Sequence, residues 1–382
     1  MTGVEFVDRV RQRLAGSSTS PDLGLVVRDE QASASVIADE AALATIERDV
    51  AAEVAGAGPL EPLLAMPSVS DVLVNGPREV WLDRGRGLER SAVTFADDAA
   101  VRRLAQRLAA AAGRRLDDAS PFVDAALPDG TRLHAVLPPI TARTTLSLRV
   151  LARRRFELRD LVEARVATLL RAIVAARLTL VISGGTGSGK TTLLGALLGC
   201  VPASERLVVI EDAAELVTGH PHLVRLVTRT ANVEGAGAIG LRELVRQALR
   251  MRPDRLVVGE FRGAEIVDLL VALNTGHEGG AATLHANAAV DVPARLYALG
   301  GLGGLSSAAV TSQVASALDV VVHLRRARSG LRGVAEIAML ERRGDGLVVA
   351  PVWSSERGVQ ARAHDLVDRL LQRGVDPGGL LQ

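Results

Sequence analysis

The sequence predicts an α/β protein: a doubly wound, mainly parallel sheet in the second half of the chain, preceded by a smaller mixed α+β domain. Three observations predict it. From residue 178 onward, apolar runs of strand length alternate with helical stretches, the pattern of a parallel sheet covered on both faces. Between 71 and 150, short strand-like runs are punctuated by Asn75-Gly76-Pro77, Gly85-Arg86-Gly87 and Pro128-Asp129-Gly130. Lastly, the only lysine among 382 residues, Lys190, sits in Gly184-Gly185-Thr186-Gly187-Ser188-Gly189-Lys190-Thr191-Thr192, between a strand run and a helical run.

The elements follow in order. Residues 1–15 carry Val4, Val7, Val10 and Leu14 at helical spacing, Gly16 to Pro21 reads as a linker, and the alanine-rich stretch 33–55 reads as a second helix closed by Gly56 to Pro59. Strands are expected at Val72–Val74, Val80–Leu82 and Ala92–Phe95, then a helix over 97–112, then strands at Phe122–Leu127, Leu133–Leu137 and Thr145–Val150. The tract Arg153-Arg154-Arg155 reads as a solvated hinge. A helix at 158–176 leads into the alternation: strand 178–183, helix 190–200, strands 206–211 and 223–228, helix 239–251, strand 255–260, helix 263–273, strand 280–285. A strand at Leu347–Val352 and a helix near 358–373 close the chain. The expected organisation is therefore a helical extension and linker (1–55), the α+β domain (56–152), a hinge (153–160), the main α/β domain (161–345) and a C-terminal strand and helix (346–382).

Composition removes several classes of function. With 45 basic and 44 acidic residues the formal net charge is +1, and only 2% of residues are aromatic, so no stable nucleic-acid partner is expected. One cysteine, Cys200, excludes an internal disulfide and a four-cysteine zinc module, and it reads as a buried helix residue. Met1 to Leu14 mixes Glu5, Asp8, Arg9, Arg11 and Arg13 among its apolar residues, unlike a signal peptide. The longest apolar stretches, near 166–182 and 302–324, are interrupted by Arg171 and Arg177 and by Asp319 and glycines, so no transmembrane helix is expected. These features place the chain in the cytoplasm.

Four stretches carry chemistry. All other basic residues being arginine, Lys190 marks a position where a planar fork does not substitute for a compact ammonium. On a glycine loop that opens a helix, such an ammonium fits between phosphate groups while loop amides and the helix end cradle them, and Thr191 is placed to hold Mg²⁺ through its hydroxyl. That points to a nucleotide with Mg²⁺. The second stretch, Val208 to Glu215, delivers Glu211 and Asp212 at a strand's carboxyl end, where parallel sheets bind ligands. The third, Leu256 to Arg262, ends an apolar strand in Gly259-Glu260. Two acidic strand ends beside a phosphate loop suit hydrolysis, which needs a metal and a carboxylate to orient or deprotonate water. In the fourth, Thr275 to Asn287, His277 and His285 flank a strand at a spacing unsuited to a helical zinc pair, and contact with the terminal phosphate is the preferred reading.

Ile210 to Leu216 in Glu-Asp-Ala-Ala-Glu context, the run Leu249 to Gly263 and the run Thr275 to Asn287 resemble the Asp box, Walker B and His box of the secretion ATPases that drive type II and type IV secretion and type IV pili. The tight-adherence (Tad-type) pilus and conjugation-associated branch is the most similar. Gly58 to Leu64, Asp71 to Pro77, Leu127 to Pro139 and Ser147 to Val150 resemble that branch's N-terminal domain, and the similarity runs over roughly residues 56–340. The resemblance implies RecA-like ATPase domains in a ring, usually a hexamer, acting on an inner-membrane platform protein from the inner face of the membrane. It implies that Lys190 and Thr191 serve phosphate and Mg²⁺. Glu211 and Glu260 would provide metal contact and water activation, with the choice of base open and leaning to Glu211. His277 and His285 would report on the γ-phosphate, and Arg132 and Arg149 would reach the nucleotide from the N-terminal domain, unless they are surface ion-pair partners.

Two departures stand out: Val150 follows the arginine of Ser147 to Arg149 where the family often has lysine, and Leu299 to Gly304 is unusually rich in glycine. The alternative to a secretion motor is a RecA-like DNA translocase or helicase. A small-molecule kinase leaves the acidic and histidine stretches unexplained, and a nucleotide-gated scaffold would bind ATP with scarcely any turnover.

Overall fold

A computed structural model of the chain describes residues 56–378 apart from 68, 86, 151–154, 230, 232–235 and 328, together with residues 9, 26 and 29. The helices expected at 1–15 and 33–55, and Arg153 and Arg154 of the arginine tract, lie outside the described residues. The chain divides into two compact units, Met1–Leu151 and Ala152–Gln382.

In the first unit a short helix, α1 (Glu61–Leu64), precedes a six-stranded antiparallel sheet in the order β3-β2-β1-β6-β5-β4. The strands are β1 (Asp71–Val74), β2 (Val80–Asp83), β3 (Leu88–Arg90), β4 (Phe122–Ala126), β5 (Arg132–Val136) and β6 (Thr145–Arg149). One face is covered by α2 (Asp98–Ala111), whose Val101, Leu104, Ala105 and Leu108 recur at helical spacing and join Val72, Val74, Leu133 and Leu148 in one core. Asp97 caps α2 by accepting from the Ala100 amide at 2.7 Å.

The third strand falls at Leu88–Arg90, and no strand forms at Ala92–Phe95. Asp83 Oδ1 accepts from the amides of Gly85 (2.6 Å) and Gly87 (3.3 Å), which tightens the turn, so the chain re-enters the ladder at once with Leu88 opposite Asp83. Residues 92–95 then peel away, and Phe95 buries its ring while its amide bonds the Pro77 carbonyl.

The second unit is a nine-stranded sheet in the order β15-β14-β13-β12-β7-β11-β10-β8-β9. Its strands are β7 (Leu180–Gly184), β8 (Leu207–Glu211), β9 (Leu223–Val227), β10 (Arg255–Phe261), β11 (Ala281–Leu284), β12 (Val320–Arg326), β13 (Arg332–Arg343), β14 (Gly346–Ser354) and β15 (Gly358–Val359). β12, β7, β11, β10, β8 and β9 are parallel, and β13 to β15 extend the sheet antiparallel. The central strands β7, β8 and β11 are buried at every position, which is why they read as mainly apolar runs.

The helix expected at 158–176 is two: α3 (Leu158–Leu161) and α4 (Ala164–Ala175), separated by Val162 in extended conformation. They are followed by α5 (Lys190–Leu198), α6 (Leu241–Ala248), α7 (Glu265–Asn274), α8 (Val292–Leu302), α9 (Ser307–Ala317) and α10 (Ala363–Gln372). Leu193, Leu194 and Leu197 of α5 share a core with Leu169, Ile173 and Leu366 on one face of the sheet, while Leu269, Leu296 and Val314 fill the core on the other. Both faces are thus covered, as the alternation predicted.

The C-terminal helix begins at Ala363 instead of 358, because Gly358 and Val359 pair with Ser354 and Trp353. Leu347–Val352 lies within β14, hydrogen-bonded to β13 in the same sheet. Arg155 lies against Gly219, where an added Cβ would collide with its guanidinium, so this arginine packs on a backbone surface. Cys200 lies half-buried in the turn after α5, not within the helix. Among the described residues no helix is long and apolar enough to cross a membrane.

Candidate active site

The glycine loop connects β7 to α5 at the carboxyl edge of the parallel strands. Gly184 has φ 152° and Gly189, the residue before α5, has φ 97°, conformations that side chains disfavour, and a Cβ on Gly184 would meet the Leu324 carbonyl at 2.6 Å. Lys190 is buried at 8% exposure, and its Nζ donates to the carbonyls of Gly184 (2.9 Å) and Gly185 (3.1 Å). Burial pulls its pKa below the usual lysine value, opposed by the Glu260 charge. Ser188 Oγ is buried with no hydrogen-bond partner, an open polar atom facing the start of the loop. Thr186 is exposed and Thr191 and Thr192 are half-exposed on the first turn of α5.

Two side chains, Glu260 and His285, meet Lys190. Glu260 Oε1 stands 4.0 Å from Lys190 Nζ and 3.0 Å from His285 Nε2, and His285 Nδ1 is 3.4 Å from the ammonium. Backbone geometry aims Glu260 there: β10 and β11 pair Val258 with Ala282 but Phe261 with Leu284, so three residues oppose two, and the bulge falls on Gly259-Glu260. Thr283 fixes the bulge by donating its hydroxyl to the Gly259 carbonyl at 2.6 Å. The other carboxylate oxygen of Glu260 accepts from Arg262 Nε at 2.6 Å. Burial, and then the Lys190 charge, lowers the pKa of His285, which keeps its imidazole neutral near pH 7. Arg295 Nε donates to the His285 carbonyl and holds that turn.

Glu211 is placed differently from Glu260, and its surroundings count against the leaning to it as the base. Its Oε1 accepts from the amides of Glu215 (3.0 Å) and Leu216 (2.8 Å), and its Oε2 faces Arg225 Nε at 2.9 Å as an ion pair without an aligned hydrogen bond. At 3% exposure, with burial raising its pKa, the carboxylate is spent on folding the loop after β8. Gly259 makes room for it, since a Cβ there would lie 3.1 Å from Glu211 Cγ.

The histidines also separate. β11 runs between them, about 13 Å for four residues, and leaves His285 at the carboxyl edge beside Lys190 and His277 beyond the amino edge. There His277 Nδ1 bonds the Ala272 carbonyl at 3.0 Å, and neighbouring Gly279 packs on Arg177. Within one subunit His277 therefore stands away from the glycine loop, because parallel strands send their two ends to opposite edges.

In the first unit, Arg132 and Arg149 are direct cross-strand partners on β5 and β6. Arg149 pairs with Asp71 at 2.9 Å, and Arg132 lies 3.7 Å from Asp124. Sequence reading missed Arg262, Arg295 and His323. Buried His323 lies 2.9 Å from Ser183 Oγ, directly before the loop, and its only sequence signal is its place in the strand run Val320 to Leu324.

A magnesium ion bound with nucleotide phosphates needs only one or two protein oxygens, since water and phosphate supply the rest. Thr191 on the first turn of α5 and the Glu260 carboxylate fit that requirement, and the partnerless Ser188 hydroxyl shows that the cradle has unused polar capacity. Among the described residues no cluster of three or more His, Cys, Asp or Glu could hold a metal without such a ligand.

The sequence model described as type II/IV secretion system protein matches residues 53–352. A putative conjugal transfer protein of Mycobacterium tuberculosis is 55% identical over 351 residues, covering 88% of this chain and 99% of the relative. Conjugal transfer protein TrbB of Rhizobium radiobacter is 32% identical over 284 residues, covering 72% and 84%. The ATPase DotB of Legionella pneumophila superposes with TM-score 0.53 at 17% identity, covering 82% of this chain and 85% of DotB. The pilus retraction motor PilT with bound ADP gives TM-score 0.53 at 19% identity, covering 83% and 86%. The two superpositions bear on the fold alone.

Proposed function

This chain belongs to the type II/IV secretion system protein family, and from that premise we propose that it is a Mg²⁺-dependent ATP hydrolase that works as a cytoplasmic, membrane-peripheral motor of a Tad-type or conjugation-associated secretion machine. The observation that carries the reading is the convergence of Lys190, Glu260 and His285 at the carboxyl edge, beside a loop whose glycines leave its amides open to phosphate.

Lys190 neutralises the phosphate tail. It now holds the Gly184 and Gly185 carbonyls, bonds that a phosphate oxygen can replace. Thr191 and Glu260 are the residues that would hold Mg²⁺, which supplies charge neutralisation on the β- and γ-phosphates. Glu260 orients and deprotonates the attacking water, kept in place by Arg262 on one oxygen and His285 on the other. Neutral His285 carries a single N–H, which faces Glu260; passing it to an oxygen of the terminal phosphate would report that phosphate to the carboxylate without adding a second cation beside Lys190. Glu211 acts on the shape of the site, by anchoring the loop after β8. Arg132 and Arg149 act on the nucleotide from the first unit, in a homo-oligomeric ring of six, and the work is delivered to an inner-membrane platform protein.

Mass and turnover measured together test this. Purified chain with ATP and Mg²⁺ is expected to form a ring-sized species and to release phosphate, and Lys190→Ala is expected to lose turnover by at least about 10². A monomer whose turnover is unchanged by Lys190→Ala would overturn the motor reading. The DNA translocase alternative is not favoured by the family, and strong stimulation of turnover by single-stranded DNA would restore it.

A further inference from the structure

β12 and β13 border the glycine loop on the side away from Glu260. β12 runs parallel to β7 with Leu324 opposite Gly184, so Arg325 and Arg326 extend roughly 7 Å past the strand end from which the loop departs. Val320, Val322 and Leu324 point into the core that holds Leu193, Leu194 and Leu197 of α5, and strand alternation puts Arg326 on that same face. Arg332 is the direct cross-strand partner of Arg326, and Val334, two residues on, lies in the same core. Contacts agree with the alternation. A Cβ on Gly187 would lie 3.7 Å from Arg326 Nη1, and one on Gly189 would lie 3.7 Å from Arg332 Cδ.

Two arginines directly opposite on one ladder repel each other, and such a pair becomes favourable when an anion lies between or beneath the guanidiniums. Residues 325–332 carry four arginines and no acid, and with Arg325 paired to Glu356 at 2.8 Å the stretch still holds an excess of positive charge beside a loop that suits phosphate. Arg332 is exposed and Arg326 half-exposed, and both side chains stand at the loop's rim. The planar fork grips phosphate oxygens bidentately, which complements the point charge of Lys190 inside the loop.

We propose that Arg326 and Arg332 form an anion clamp on the outer rim of the glycine loop that grips the phosphate chain of a bound nucleoside di- or triphosphate. The clamp rests on the nucleotide reading of the loop, and it gives the site a second wall, opposite Glu260 and His285.

Titration calorimetry on the full-length chain tests it, with ADP and inorganic tripolyphosphate as ligands at two salt concentrations. Arg326→Gln and Arg332→Gln are each expected to weaken both ligands about tenfold, with a larger loss and a shallower salt dependence in the double variant. Arg342→Gln, at the far end of β13 where its Nε bonds the Gly344 carbonyl, is expected to bind as wild type does. Wild-type binding matched by the double variant overturns the clamp and leaves the loop reading standing. A wild type that binds neither ligand overturns both. Weakening for ADP with unchanged tripolyphosphate affinity also overturns it, since the arginines would then act on base or ribose. Should the double variant melt below wild type, Arg332→Gln alone, at an exposed side chain, decides the matter by the same criteria.

Discussion

Glu211 and Glu260 are alike in sequence, each an acid at the end of an apolar strand, and the backbone around them makes them different. Two amides and Arg225 occupy Glu211, whereas a bulge turns Glu260 toward Lys190 and His285. Glu211→Gln is therefore expected to destabilise the fold more than Glu260→Gln, by about 1–3 kcal/mol in denaturant unfolding, because Oε1 already accepts from two amides and the new NH2 group would face the Arg225 guanidinium. Equal stabilities would contradict that assignment. His323 invites a pH experiment. It is buried against Ser183 and hydrogen-bonded to the Asn287 backbone, and burial lowers its pKa. An imidazole that is harder to protonate folded than unfolded adds stability that is present above the ordinary histidine pKa of about 6.5 and is lost as pH falls toward the folded value. Unfolding midpoints at about pH 7.5 and about pH 5.5 should accordingly fall further for wild type than for His323→Gln. An identical fall in both would show that His323 does not titrate in that window.

At the scale of elements, glycines set how closely helices approach. A Cβ on Gly300 would collide with Val310, and one on Gly303 with Val267, so the glycine-rich end of α8 is what lets it lie against α9 and α7. Gly300→Ala is expected to lower stability by about 1–3 kcal/mol, read as a shift in denaturant midpoint with turnover per folded molecule retained, and an unchanged midpoint would refute the close approach. The strands of the parallel core were legible because strands buried on both faces are mainly apolar, and the glycine loop was legible as the link from one such strand to a helix. The stretch 302–324 was not. There α9 buries Val310, Thr311, Val314 and Ala317, too small a set of side chains to mark a helical face, and it passes into β12 with only Leu318 and Asp319 between. The bulge at Glu260 and the pairing of Arg326 with Arg332 depend on register, which no spacing within one strand discloses. His277 was misread because the residues flanking a four-residue strand look adjacent in sequence and stand at opposite edges of the sheet.

For the whole molecule, the proposal that Arg132 and Arg149 serve the nucleotide assigns a catalytic part to the first unit. Their position as cross-strand partners means that a single ladder position carries both guanidiniums, with Asp71 and Asp124 beside them. If that role holds, Arg149→Ala should reduce turnover with unchanged melting, and arginines acting on a transferring phosphate are worth about 10³ to 10⁵ in rate. Turnover equal to wild type would reduce the pair to a surface charge network of small energetic consequence. The proposed hydrolytic site rests on one carboxylate beside one ammonium. The most direct measurement is pre-steady-state phosphate release from ATP-loaded wild type, Glu260→Gln and Glu211→Gln, with nucleotide binding measured in parallel. Glu260→Gln is expected to bind ATP and release phosphate more slowly by about 10² to 10⁴, with Glu211→Gln retaining most of the rate in its folded fraction; rapid release from Glu260→Gln, with Glu211→Gln inert, would contradict a hydrolytic site built on Glu260.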